Sequence, residues 1–116
     1  MKVLLRCIGL SALLVASAAM AHHGWSEYDD ANVLKLAGTI EQAHYSNPHG
    51  HVKLKTADKT WDVVLAPPSR MENRGLTREM LAAGAKAEVT GYPNRNKPDE
   101  LRAERITLAG KTIELR

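Results

Sequence analysis

The stretch "LKLAGTIEQAHYSNPHGHVKLKT", residues 34–56, decides the fold. Leu34, Leu36, Gly38 and Ile40 share one face, and Lys35, Ala37, Thr39 and Glu41 share the other. A period of two marks a half-buried strand. Gly38, in the middle, reads as a bend or bulge of the kind that closes a small barrel. Continued alternation puts His44 on the inward face. "SNPHG", residues 46–50, supplies a turn: Pro48 fixes its own φ and pushes Asn47 away from helix, while Gly50 relaxes the exit. The second strand, "HVKLKT", turns Val52 and Leu54 inward and its lysines outward.

Toward the C-terminus, "ADK" leads into a third strand, "TWDVVLA", with Trp61, Val63 and Leu65 on one face. Pro67-Pro68 stops it. Ser69 and Glu72 have the spacing of a capping box over one short helical turn ended by Gly75. Thr77 reads as a second N-cap, Leu76 and Leu81 as the partners of a hydrophobic staple, and Gly84 as a helix end. "AKAEVTGY" alternates again and "PNRNKPDE" is a polar loop. "LRAERITLAGKTIELR" reads as a last strand with a hairpin-like extension through Ala109-Gly110. The expectation is an all-β chain with one short helical segment: an OB-like five-stranded barrel of order β-β-β-α-β-β over residues 33–116. Its first and last interstrand loops would frame the ligand surface. Closure also removes edges that an open five-stranded sheet would expose.

Toward the N-terminus, Lys2 and Arg6 precede an apolar stretch from Ile8 to Val15 and then "ASAAMA", the order a signal peptidase substrate needs. Ala19 and Ala21 fit the small-residue subsites. Residues 1–21 are therefore expected to be a cleaved signal peptide, and residues 22–32 an arm leading to the barrel. Removal of 21 of the 116 residues leaves 95, enough for one domain with a modest core. The apolar run is too short to span a bilayer comfortably, which implies a periplasmic protein without a membrane anchor after cleavage. Cys7, the single cysteine, leaves with the signal, so no thiol, disulfide or cysteine metal ligand is expected. Loss of Lys2 and Arg6 also cuts the formal charge from +3 to +1, which removes the main electrostatic argument for a nucleic-acid partner.

All five histidines lie downstream of Ala21: His22, His23, His44, His49 and His51. With His22 as first residue, its α-amine and its Nδ1 can close a chelate ring on one metal ion, both being neutral donors at small cost near neutral pH. A third nitrogen from another imidazole gives a nearly planar set that selects Cu(II), the arrangement called a histidine brace. His23 offers a variant, binding through the amine, the intervening amide nitrogen and its own ring. The third ligand is sought in H-x4-H-x-H. His49 is the first choice, because the proline-fixed turn holds it at low entropy cost; His44 and His51 are auxiliary. Trp25 and Tyr28 are candidate apolar anchors for the arm, with or without a metal. Zinc is the other possible ion, with Glu27, Asp29 and Asp30 nearby. Met71 and Met80 are either soft Cu(I) ligands or core residues.

The mature stretch resembles a family of small exported bacterial proteins of unknown function. The resemblance rests on "HHG" at residues 22–24, Gly38-Thr39, Asn47-Pro48-His49, "RGLT" at Arg74 to Thr77, the "L..G" at Leu81 to Gly84 and the final "ITLAGKT". Many relatives have Ser-Phe where this chain has Gly24-Trp25, which keeps the aromatic anchor. The resemblance implies a metal site shared between the histidine start and the histidine turn, here His22, His23 and His49. It brings no established activity.

Two functions follow as expectations. The first is a periplasmic copper-binding protein for storage, delivery or tolerance. The second is a metal-free periplasmic OB-fold module for an oligosaccharide, peptide or protein partner, with Tyr45, Tyr92, Arg95 and Lys97 near the loops. An enzyme ranks below both, since the sequence offers no nucleophile in an activating setting and no carboxylate pair at a recognisable spacing.

Overall fold

In the computed structural model the described residues are 24–116, so His22, His23 and the expected signal peptide lie outside them. Six strands form: β1 (Leu34–His44), β2 (His51–Lys55), β3 (Thr60–Val64), β4 (Lys86–Pro93), β5 (Glu100–Leu108) and β6 (Lys111–Glu114). Between β3 and β4 lie a short helix, α1 (Pro68–Asn73), and one 3-10 turn (Glu79–Leu81). The strand order is β3-β2-β1-β4-β5-β6, and β3 pairs with β5 in parallel. Five strands thus close a mixed, OB-like barrel. β6 is the returning arm of a hairpin whose turn holds Ala109 and Gly110 at φ 50° and 74°.

The long first strand makes closure possible, pairing with β4 over Leu34–Thr39 and with β2 over Thr39–His44. Gly38 stands beside the point where β1 passes from one pairing to the other. A Cβ there would run into the Lys55 carbonyl, so its role is close approach of backbone. The bulge itself falls between Ile40 and Gln42. That corrects the inward placing of His44: one extra residue reverses the alternation, turning Ala43 toward the core and leaving His44 exposed.

The barrel interior is filled as the alternation predicts by Ile40, Val52, Leu54, Val63, Leu65 and Val89, with Trp61 half-buried at the margin, and also by Leu101 and Ile106, which share a face across a register shift in the β4–β5 pairing. Met71, Leu76 and Leu81 close one end, each fully buried. Met71 is a core residue there, and Met80 packs against the same cluster.

The helical segment differs from expectation at both caps. Ser69 lies inside α1: Pro67 occupies the cap position, Pro68 the first turn, and no side chain caps the end. Pro68 satisfies geometry where Ser69 would have supplied a hydrogen bond. Gly75 does end the segment, at φ 88°. The second helix is only the 3-10 turn, without a Thr77 side-chain cap. Its continuation loses to β1: Gly84 donates its N–H to the Ile40 carbonyl at 2.7 Å, and Ile40 donates to the Ala85 carbonyl at 2.8 Å. No helix among the described residues is long and apolar enough to cross a membrane.

Candidate functional site

One row of paired residues crosses the barrel from His44 through His51, Val64 and Arg102 to Tyr92. The β1–β2 loop flanks this surface at the α1 end. Tyr45 Oη donates to the Leu76 carbonyl at 2.6 Å, Arg78 Nη2 donates to the Tyr45 carbonyl at 3.1 Å, and the Gly50 N–H donates to the Ala66 carbonyl at 2.9 Å. Leu65 returns a bond to the Gly50 carbonyl at 2.8 Å, so the loop holding His49 is fixed on both sides. The β4–β5 loop stands at the opposite end, where Lys59 Nζ donates to the Pro98 carbonyl and to Asp99 Oδ1, both at 2.9 Å. The outer β2–β3 face lies between the two.

The arm is held at the far end of the row by Trp25 and Tyr28. Asp29 donates its N–H to the Pro93 carbonyl and Arg95 donates to that of Glu27, both at 2.9 Å, while Tyr28 makes a β-bridge with Asn94. Tyr28 is 5% exposed, and its hydroxyl donates to Glu100 Oε2 at 2.8 Å; Asn94 Nδ2 donates to the same oxygen at 2.7 Å. Trp25 meets Tyr92 edge to face at 5.9 Å. Its ring also faces the Arg102 guanidinium at 4.7 Å and that of Arg116 at 4.5 Å.

Arg102 is the residue that sequence reasoning missed. It is 6% exposed, has Tyr28 on another side at 6.0 Å, and its Nε has no hydrogen-bond partner. Ring faces substitute for water around a buried cation, at a benefit of about 2 kcal/mol when desolvated. The available signal was an arginine on the outward face of "LRAERI", directly across from Val64.

Electrostatics divide the row. Burial lowers the His49 pKa, and the Arg102, His51 and Arg70 charges lower it further. Burial also lowers that of His51, with Glu100 and Asp62 opposing and His44 and Arg102 reinforcing. Both rings therefore favour the neutral form in which imidazole is a metal donor. Burial and the bond to Glu100 push Tyr28 up to about 12.

The structure thus brings His44 and His51 directly opposite one another and places His49 in the adjoining loop, half-buried. Among the described residues, no group of three or more His, Cys, Asp and Glu side chains is arranged to hold a metal ion. Glu27, Asp29 and Asp30 do not join the histidines in such a group. Of the side chains considered for a metal-free module, Tyr92 is buried beneath the arm, Tyr45 anchors its own loop, and Arg95 Nε donates to the Ser26 carbonyl at 3.3 Å.

Fold and site define a small OB-like barrel with a histidine-bearing outer face and an N-terminal latch. The chain belongs to a family of unknown function, DUF6152, whose model matches residues 11–101. No curated protein matches it. Among solved structures it is similar to part of TiaS in a complex with tRNA and ATP, at 17% identity and TM-score 0.52, over 77% of this chain and 20% of that one. It is likewise similar to part of a ZRD-deleted TiaS mutant in complex with agmatine, at 18% identity and TM-score 0.51, over 76% and 25%. The chain spans about a quarter or less of those proteins, and the likeness is one of fold.

Proposed function

We propose that this chain is a periplasmic copper-binding protein, serving storage, delivery or tolerance, that holds the ion between a processed N-terminus at His22 and the loop histidine His49. The observation that carries this reading is the latch. Trp25 rests on Arg102, two strands from His51 on the same row, which is about 10 Å at ordinary strand spacing. Three residues of chain, from Trp25 back to His22, reach at most about 11 Å. A terminus tethered there has the histidine face within range.

The neutral state favoured for His49 suits ligation, and its fixed loop lowers the entropy cost of presenting the ring. His23 supplies the alternative terminal chelate. Cu(II) is preferred over zinc because nitrogen donors in a plane match its geometry. The role proposed is binding, without catalysis.

Titration of the processed protein with Cu(II) tests the proposal. Saturable binding of one equivalent is expected, weakened at least about tenfold by His49→Ala or by acetylation of the terminal amine. Binding that is indifferent to both changes would eliminate the terminal site.

A further inference from the structure

The bulge after Ile40 does more than reverse a face. It brings His44 outward at the one register position where β2 also presents a histidine, so His44 and His51 are ladder partners and both are exposed. Side chains directly opposite in an antiparallel pair leave the same face, with Cβ atoms about 4.5–5.5 Å apart. Two imidazole nitrogens can meet one ion from that separation, each about 2.0 Å from the metal.

We propose that His44 and His51 form a second, exchangeable site for a divalent late-transition-metal ion, Cu(II) before Zn(II), separate from the terminal site. The pair requires neither the α-amine nor His49. Two protein nitrogens leave the other coordination positions to water, which makes the site open and quickly exchanging. The absence of any third His, Cys, Asp or Glu ligand among the described residues is what distinguishes it from a storage cage.

The surroundings suit a cation. In the neighbouring row, Gln42 faces Lys53 and Lys53 faces Asp62. Lys53 is ion-paired with Asp62, so its ammonium is already engaged. Gln42 Nε2 donates to His44 Nε2 at 3.2 Å, a weak exposed bond that an ion at this nitrogen displaces. Exposure of both rings means that either can be replaced without disturbing the core.

The test uses the processed full chain with His22→Ala and His23→Ala, which together remove both terminal imidazoles. Titration with Cu(II), then separately with Zn(II), is expected to show one saturable equivalent, with Cu(II) the tighter. His44→Ala and His51→Ala should each weaken it at least about tenfold. In NMR spectra, substoichiometric Cu(II) should broaden the ring signals of His44 and His51 ahead of all others. Absence of saturable binding, binding unchanged by His51→Ala, or broadening centred elsewhere would overturn the assignment. Failure of the terminal site reads out differently, as loss of an equivalent only from the protein with a free His22 amine.

Discussion

Glu100 shows how much a single carboxylate organises here. One of its oxygens accepts from both Tyr28 and Asn94, joining the arm to the start of β5. Tyr28→Phe removes one of these bonds and is expected to cost about 1.5 kcal/mol, read as a lower urea midpoint with an unchanged slope. The folded state holds the Tyr28 phenol neutral up to about pH 12, against an ordinary value of 10.0. Its contribution is therefore complete below pH 10 and is lost as pH rises through 12; Tyr28→Phe should lack that alkaline component. For His49 and His51 the sign is reversed. Their lowered values mean that stability is complete above pH 6.5 and is lost as pH falls through the folded-state values. Ring titration by NMR in the presence of chelator should find both midpoints below 6.5.

The β-elements were legible in the sequence wherever alternation ran unbroken, and illegible where one backbone event interrupted it. Leu34 to Ile40, Val52 with Leu54, and Ala87 with Val89 all sit as their period dictates. The bulge after Ile40 left no mark in composition, so the face of His44 was misplaced although its proximity to His51 was already implied by the turn. Leu76 and Leu81, which read as a hydrophobic staple, are both buried, but the helix expected after Thr77 is overruled by the backbone bonds that Gly84 and Ala85 share with Ile40. Arg102 was hidden because its cover comes from Trp25, far away along the chain. Two substitutions probe the turns and crossings. Gly38→Ala must displace the Lys55 carbonyl and should cost about 3 kcal/mol or more by urea denaturation. Ala109→Gly relieves a left-handed alanine and should stabilise by about 1 kcal/mol in the same measurement.

At the scale of the whole molecule, the barrel is a support that brings together chain segments remote in sequence. Its closure aligns His44, His51 and Arg102, on which Trp25 of the arm rests, on one row. Trp25→Ala removes the contacts to Tyr92, Arg102 and Arg116 while leaving every proposed ligand in place. On the copper reading it should weaken Cu(II) binding by about tenfold through a freer terminus, with the barrel's circular dichroism unchanged; unchanged affinity would detach the latch from metal binding. The most direct measurement is native mass spectrometry of the protein isolated from its compartment after growth with copper. A chain beginning at His22 and carrying copper is expected. A mature chain with any other first residue, or one that begins at His22 and retains no copper, would contradict the proposal.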